Sequence, residues 1–381
     1  MTPNDTALSI GDDYDYDYEE ASQIFIWTEL MPTLIIYSIT MVLGIVGNVL
    51  IVLTTWLYKR MKSPTNLFLS SLAVTDLLLI ILCIPVKIAK LFSYTWSMGV
   101  FLCKTVHYMQ NFTAICSVLT LTVMSIERYY AIMYPMKAKY ICTMSQTKKT
   151  IAAIWLISAI LAAPILLVQI LLPVGVKIQA FWCVRNLDNL LLWRIYEVYM
   201  LLVILVVPTT IMTVTYSTIA LEIHRVMNNS MFAVCTTEAR DPQMECLQKS
   251  SQRLCHKTEY NQNVRQIIKM LIVIVVVFVI CWAPMLIDNL LTAWSFIPYE
   301  RTGEFVHYKY MGIAFHLMAY LNSCVNPIVY GFMSKHFRES FKKTLCHKKS
   351  LTRKRTLSFS LHTRTTSLRL GENRIVPVFS V

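Results

Sequence analysis

Apolar residues are gathered along this chain into seven long runs, separated by polar segments. Each run has about 20 residues or more, the length that an α-helix needs to cross the hydrocarbon core of a bilayer. The runs show no period-two alternation, and lipid offers the backbone no hydrogen-bond partner, so they predict helices rather than barrel strands. The predicted spans are Leu30–Leu57, Asn66–Phe92, Phe101–Tyr130, Lys149–Leu172, Trp193–His224, Arg265–Trp294 and Phe305–Met333.

The composition agrees with a membrane protein. Of the 381 residues 56% are hydrophobic and only 15% are charged, and the mean hydropathy is +0.52. A soluble protein would have about 25% charged residues. The sequence therefore predicts an all-α membrane protein, a seven-transmembrane helix bundle formed by residues 30–333. Beyond it, Phe337 and Phe341 are four apart among Lys and Arg, which predicts a short amphipathic eighth helix at 334–347 on the membrane surface.

Charge is distributed unevenly between the two ends of the chain. Residues 1–30 contain eight acids and no Lys or Arg, whereas the basic residues behind the net charge of +13 lie in the loops and in the tail at 348–381. Because Lys and Arg stay on the cytoplasmic side, we expect the acidic segment 1–29 to be extracellular and the C-terminus cytoplasmic. The positive charge then follows from topology and indicates no nucleic-acid partner. We expect a multi-pass protein of the plasma membrane.

Most of the eleven cysteines lie inside predicted helices or on the cytoplasmic side, where we expect no disulfide bond. Only Cys103, at the outer start of the third span, and Cys183, in the second external loop, face an oxidising compartment, and we expect them to pair. Asn4 lies in an external glycosylation sequon, N-D-T. Cys346, at the end of the amphipathic helix, is a candidate for palmitoylation, with a free cytoplasmic thiol as the alternative.

Asp76, in SLAVTDLLLI, is the one acid that the sequence places deep in a membrane helix. A charge there costs at least ~2.5 kcal/mol without compensation. One interpretation is a carboxylate that holds a small hard cation, and the other is a protonated Asp hydrogen-bonded to neighbouring helices. The oxygen-bearing side chains expected near this carboxyl are Ser117, Asn322, Ser323 and Asn326, of which the two asparagines share a helical face.

Two further features concern movement of the bundle. Pro208, Pro284 and Pro327 each interrupt a long apolar run, where the missing N–H frees a carbonyl and permits a kink. Glu127 and Arg128 end the third run side by side, and two charges there need a water boundary or a partner.

The sequence also allows a signalling protein to be compared with a transporter, a channel and an enzyme. Gln110 lies 18 residues before Arg128, about 27 Å along a helix, so the third helix would connect an outer pocket with an inner charged pair. That arrangement suits signal transmission. A transporter or channel is the alternative, but the spans show no inverted repeat and few ionisable residues along a pathway. Zinc-site spacings, nucleophile elbows and phosphate loops are absent from the sequence, so an enzyme is not expected.

Seven short motifs occur in order, one set in each span. The motifs are GNVLIV at 47–52, LAVTD at 72–76, ERY at 127–129, Trp155, Pro208 with Tyr216, FVICWAP at 278–284 and NPIVY at 326–330. Together they make residues 30 to 346 resemble class A, rhodopsin-like G-protein-coupled receptors. Because all seven agree in order and spacing, the resemblance is much more specific than any single motif.

The resemblance implies roles at both ends of the bundle. Arg128 would engage the G protein once the sixth helix moves outward, Glu127 would restrain it at rest, and Asp76 would bind an allosteric sodium ion, with no other cofactor expected. Val264 stands where many relatives carry an acid that pairs with this arginine, which favours higher basal activity. The other switch residues implied are Tyr129, Tyr216, Phe278, Trp282, Pro284, Asn326, Pro327 and Tyr330.

The resemblance also narrows the ligand. Gln110 replaces the aspartate of amine receptors, and Tyr320 replaces the lysine of retinal proteins. The segments around ERY and NPIVY look like those of receptors for thyrotropin-releasing hormone, ghrelin, neurotensin, neuromedin U and ecdysis-triggering hormone. They imply a basic neuropeptide, with an amidated end as a candidate feature, and signalling through heterotrimeric G proteins, phospholipase C and calcium. A non-peptide ligand is the alternative. The expected pocket residues are Gln110, Trp282, Asn289, His316 and Tyr320.

Both termini carry candidate modification sites. The acidic run DDYDYDYEE would attract a basic peptide, and its setting resembles the tyrosine-sulfation sites of peptide receptors; the alternative is a solvated tail that only sets topology. The tail at 348–381 is expected to be disordered and, once phosphorylated by receptor kinases, to dock arrestin; the alternative is attraction to anionic lipid. The candidates are Tyr14, Tyr16 and Tyr18 for sulfation and Thr356, Ser358, Thr363, Thr365, Thr366 and Ser367 for phosphorylation.

Overall fold

The computed structural model describes residues 27–58, 61–93, 95–174, 180–237, 244–299, 301 and 305–346. The predictions for glycosylation, sulfation and tail phosphorylation fall outside these residues and stay predictions. They concern Asn4, Tyr14, Tyr16, Tyr18, Thr356, Ser358, Thr363, Thr365, Thr366 and Ser367.

Long helices make up most of the described chain. In chain order the numbered helices of the described residues are α1 Trp27–Leu57, α2 Pro64–Leu91, α3 Gly99–Met133, the short α4 Pro135–Ile141, α5 Met144–Ala162, α6 at 190–237, α7 Met244–Ala293, α8 Val306–Met333 and the short α9 Lys335–Cys346. Helix α2 contains a π-helical turn at Leu79–Cys83, and α6 consists of Leu190–Leu201, a π-helical turn at Leu202–Val206, and Val207–Thr237. The predicted seven-helix bundle with a short additional helix is confirmed.

The long helices can cross a membrane. Within the described residues, six of them are long and apolar enough by length and composition. The remaining one, α8, has 28 residues, about 42 Å of helix, which is also sufficient. Its hydropathy is lower because it carries polar residues such as Asn322, Ser323 and Asn326, and these side chains are buried in the bundle.

The predicted fourth span, Lys149–Leu172, is wrong at its end. Helix α5 ends at Ala162, just before Pro164, and one short helical turn later the chain enters strand β1, Gln169–Val174. This strand pairs antiparallel with β2, Ala180–Arg185, so the fold is all-α except for one β-hairpin. Apolar residues continue from the helix into the strand, and a short apolar run does not distinguish the two structures.

Helices α6 and α7 extend well beyond the predicted spans Trp193–His224 and Arg265–Trp294. Helix α6 continues to Thr237, and α7 begins at Met244. The added segments have a larger share of polar residues than the spans, and they contain no Gly or Pro, the residues that most disfavour a helix. The apolar runs therefore indicate the part of each helix that can lie in a bilayer, and the helices are longer than the runs.

Helix α3 lies at the centre of the bundle, where Ile115, Cys116 and Val118 exclude solvent completely. Cys103 lies near the start of α3 and Arg128 near its end. These two residues define the two ends of the molecule, called the disulfide end and the arginine end below. At the arginine end α9 packs against α8. Phe337 of α9 is buried, and its ring stacks on that of Tyr330 in α8 with 5.7 Å between the ring centroids.

Candidate functional site

A disulfide bond closes one end of the bundle, as predicted. It joins Cys103 of α3 to Cys183 of β2, with 5.8 Å between the Cα atoms, and both residues are buried. The β-hairpin is thereby held over the disulfide end. His107, one turn along α3, lies beside the bond: its Nδ1 is 2.9 Å from the Cys103 carbonyl oxygen and 3.9 Å from the Cys183 sulfur.

A buried ion pair holds the same hairpin to α6. The Arg185 Nε donates to Glu197 Oε1 at 3.1 Å, and its Nη1 donates to Gln169 Oε1 at 2.7 Å. The indole of Trp193 donates to the same carboxylate oxygen at 3.1 Å. The Arg185 guanidinium also lies over the ring of Tyr196, 5.2 Å from its centroid. The hairpin is therefore held in place by its disulfide and by this ion pair.

A second ion pair connects α7 to the loop before α8. Arg301 donates to both carboxylate oxygens of Asp288, at 3.1 and 3.0 Å, to the Thr292 hydroxyl at 2.8 Å and to the Tyr308 carbonyl at 3.0 Å. Gly312 is required beside it, since a Cβ there would clash with the Arg301 side chain.

Among the described residues, two acids besides Asp76 are buried near the helix ends at the disulfide end of the bundle. They are Glu197 and Asp288, which lie within the membrane-spanning helices, with 2% and 5% of their surface exposed. Each is neutralised by an arginine: Arg185 ends strand β2, and Arg301 lies in the loop before α8. The sequence carries that signal, because Arg185 and Arg301 stand within 13 positions of their partners.

Two of the predicted pocket residues are in direct contact below the hairpin. The Tyr320 hydroxyl donates to Gln110 Oε1 at 3.2 Å, and the Gln110 amide approaches the Met285 sulfur at 3.8 Å. Both residues are buried, and the Tyr320 ring packs edge-on against Tyr37 at 5.5 Å. Met285 and Tyr37 are additions that the sequence motifs did not indicate.

The other predicted pocket residues lie around this contact. Trp282 is buried one turn before Met285 and stacks on Phe278 at 6.1 Å, and its indole nitrogen has no hydrogen-bond partner among the described residues. His316 lies one turn before Tyr320, and its Nδ1 is likewise buried and unpartnered there. Asn289 is only partly buried, two turns from Trp282 on α7. No hydrogen bond within the described residues joins Asn289 or His316 to Gln110.

Polar side chains surround Asp76 in the middle of the bundle. Asn326 Nδ2 donates to Asp76 Oδ2 at 2.9 Å, and the Ser323 side chain is a second hydrogen-bonding neighbour. Asn48, which the motif GNVLIV contains but which was not assigned to the site, donates to the Ser323 carbonyl at 2.8 Å.

The remaining members of this set are also buried. Asn322 is 4% exposed, and the Ser117 hydroxyl is 3.4 Å from that of Thr75. The donors are carboxylate, hydroxyl and amide oxygens, which fit a hard cation such as sodium. The same contacts also fit a hydrogen-bonded carboxyl without an ion.

A charged pair lies at the arginine end of α3. Arg128 Nη2 is 3.2 Å from Glu127 Oε2, with the glutamate buried and the arginine 21% exposed. Tyr216 of α6 lies within electrostatic range of Arg128. Partial burial, together with the nearby carboxylate of Glu127, raises the pKa of the Cys142 thiol that follows α4.

Several polar atoms around this pair lack partners. The hydroxyls of Tyr216 and Tyr330 are buried without hydrogen bonds among the described residues. An unsatisfied buried donor costs about 1–3 kcal/mol, so a conformation that pairs these hydroxyls would recover that free energy. Tyr129, by contrast, packs on Tyr130 and Tyr134 at 5.7 and 6.1 Å. Pro284 and Pro327 lie inside helices that continue on both sides, and Pro208 follows the π-helical turn of α6.

Comparison with known proteins gives consistent matches. A family model described as 7 transmembrane receptor (rhodopsin family) matches residues 47–330. The QRFP-like peptide receptor of Branchiostoma floridae is 30% identical over 321 residues, covering 82% of this chain and 77% of that receptor. Neuromedin-U receptor 1 of Homo sapiens is 30% identical over 84% of this chain and 74% of its own length. Growth hormone secretagogue receptor type 1 of Sus scrofa is 29% identical over 90% and 89%.

Proposed function

The chain belongs to the rhodopsin family of seven-transmembrane receptors, and from that premise we propose that it is a plasma-membrane receptor activated by an extracellular peptide. Its relatives are receptors and not enzymes, and two of them are named for peptides, which supports a peptide ligand here. The acidic segment at 1–29 and the basic tail support an extracellular N-terminus and a cytoplasmic C-terminus.

The observation that carries this proposal is the continuity of α3. One helix of 35 residues holds Gln110 in the pocket beneath the hairpin and the Glu127–Arg128 pair at the opposite end. A peptide that displaces the Gln110–Tyr320 contact would act on α3 and α8 together. Release of Arg128 from Glu127 would then expose the guanidinium to the C-terminal helix of a G protein, which is the role that the family resemblance implies.

Further parts of the proposal concern the signal and its control. We propose coupling to heterotrimeric G proteins that activate phospholipase C and raise calcium, with receptor kinases and arrestin acting on the tail at 348–381. Sodium at Asp76 would stabilise the resting state. Cys346 ends α9, where a palmitoyl chain would add a lipid anchor in the bilayer.

A nucleotide-exchange assay tests the proposal. Purified receptor in lipid discs is mixed with a G-protein heterotrimer and with synthetic peptides of the RF-amide, neuromedin-U and cholecystokinin types, the classes named by its relatives. We expect at least one peptide to accelerate exchange, and Arg128→Ala to abolish the acceleration while peptide binding persists. Ion flux through receptor-containing vesicles in place of exchange would favour the channel alternative and contradict the proposal.

A further inference from the structure

Lys87 of α2 faces the interior of the bundle at the disulfide end. Cys83, one helical turn before Lys87, packs against α3, because its sulfur lies 3.7 Å from the Val106 carbonyl oxygen. Lys87 is therefore on the face of α2 that is turned toward α3. The Lys87 ammonium is close enough to His107 of α3 and to His316 of α8 to interact electrostatically with both. A lysine that interacts with side chains on two other helices points into the bundle and not toward lipid.

His107 and His316 lie on the disulfide side of the hydrogen bond between Tyr320 and Gln110. His107 precedes Gln110 by three residues and His316 precedes Tyr320 by four, so each lies about one helical turn nearer the disulfide end. Lys87 follows, one turn beyond Cys83, whose sulfur contacts the Val106 carbonyl beside His107. A ligand that rests on the Gln110–Tyr320 pair and extends toward the disulfide end would therefore pass these three side chains.

No acid within the described residues neutralises Lys87. The buried acids at this end are Glu197 and Asp288, and they are already paired with Arg185 and Arg301. Lys90 and Arg185 are both electrostatic neighbours of Lys87, and Lys90 also interacts with His107 and His316, so the local charge around the lysine is positive. A partly buried ammonium without a counter-ion is a favourable partner for an incoming anion.

We propose that Lys87, His107 and His316 form an anion-binding subsite that receives a carboxylate of the peptide. Lys87 supplies the charge, and a ring N–H of His316, whose Nδ1 has no partner among the described residues, supplies a neutral donor. A peptide that is basic overall still carries a carboxylate at its C-terminus or on an Asp or Glu, so the subsite is compatible with attraction by the acidic N-terminal segment. The inference rests on the proposed function, because it needs a peptide in this pocket.

A double-mutant cycle between receptor and peptide tests the subsite. The probe is the most potent peptide of the panel described above, prepared with its carboxylates neutralised one at a time: the C-terminus as acid or amide, and each Asp or Glu as Asn or Gln. Each peptide is assayed for nucleotide exchange on the wild type, on Lys87→Gln and on Lys104→Gln. Lys104 of α3 is the matched control, since Lys104→Gln removes a basic charge at the same end of the bundle, where the Lys104 Nζ donates to the Leu166 carbonyl at 2.8 Å.

We expect one neutralisation to reduce potency on the wild type and on Lys104→Gln by about tenfold or more, the size of a charge-assisted hydrogen bond. The same change should have no effect on Lys87→Gln, which the neutral peptide must still activate, showing that the variant is folded. The sensitive position identifies the source as the C-terminus or a side chain. Equal sensitivity of the wild type and Lys87→Gln to every neutralisation overturns the subsite alone. A receptor that no peptide activates contradicts the proposed function as well.

Discussion

The side chain of Gln266 donates a hydrogen bond of 2.6 Å from Nε2 to the carbonyl oxygen of Met333. Gln266 lies on α7 and Met333 is the last residue of α8, so the contact joins these helices at the arginine end. The accepting carbonyl is one of the last four of a helix, which have no intrahelical partner. The Gln266 side chain therefore satisfies this carbonyl and holds α7 to α8.

The Gln266→Ala variant should have higher basal activity. The hydrogen bond restrains the end of α7 that the family resemblance expects to move outward, and its loss removes about 1 kcal/mol from the resting state. Peptide-free nucleotide exchange should rise about fivefold, the factor that corresponds to that free energy. Lys269→Ala, an exposed change one turn away on α7, is the control and should leave the rate unchanged. Equal basal rates in wild type and Gln266→Ala would show that the contact does not restrain α7.

The Asp288→Asn variant should be markedly less stable. The substitution leaves the Arg301 guanidinium, only 17% exposed, without its carboxylate, and breaking a buried pair in this way costs about 3–5 kcal/mol. The unfolding temperature of the receptor in detergent should therefore fall. The matched control is Glu222→Gln, which breaks an exposed pair with Arg225 and should cost about 0–1 kcal/mol. Equal unfolding temperatures for both variants would contradict a structural role for the Asp288–Arg301 pair.

The Gly47→Ala variant tests how closely α1 and α8 approach. A Cβ at Gly47 would lie 2.6 Å from the Cβ of Pro327, and the proline ring cannot rotate away. Such overpacking costs about 1–3 kcal/mol, so the unfolding temperature should fall. At Gly331 the nearest atom to an added Cβ is 3.9 Å away, and Gly331→Ala should be neutral or slightly stabilising, because Ala favours helix. A Gly47→Ala receptor as stable as the wild type would mean that the two helices separate without cost.

Hydrophobic patterning predicted the bundle well, because lipid permits few backbone structures. Each apolar run had to become a helix at least in part, and the ends of α1 and α8 fall within three residues of the predicted spans. The hydrophobic pattern did not predict the correct structure or helix ends for segments that contact water or protein in place of lipid. Strand β1 continues the apolar run of α5 as the first strand of the hairpin. The end of α6 and the start of α7 lie outside the long apolar runs that marked the spans.

The sequence indicated several residues that face the interior of the bundle, but not which side chains on other helices they contact. The family resemblance indicated Gln110 and Tyr320 for the pocket, and a motif contains Asp76, but neither singled out Met285 or Lys87. A lysine near the end of an apolar run is usually interpreted as an interfacial residue that extends to water. Only the packing of α2 against α3 shows that Lys87 faces inward.

The last prediction separates the two interpretations of Asp76. If its carboxylate binds sodium, the ion stabilises the folded receptor by about 1.4 kcal/mol at ten times its dissociation constant. Unfolding temperatures are measured as NaCl replaces choline chloride at constant ionic strength, so that general screening stays unchanged. We expect the unfolding temperature of the wild type to rise with sodium.

The Asp76→Asn variant removes the charge but keeps an oxygen that accepts the 2.9 Å hydrogen bond from Asn326. We expect its unfolding temperature to be independent of sodium, because a neutral amide cannot compensate a cation taken out of water. Glu222→Gln, which removes an exposed acid elsewhere, should keep the sodium response of the wild type. If the wild type does not respond to sodium, or if Asp76→Asn responds equally, the carboxyl acts through hydrogen bonds to α8 alone, and the cation site is refuted.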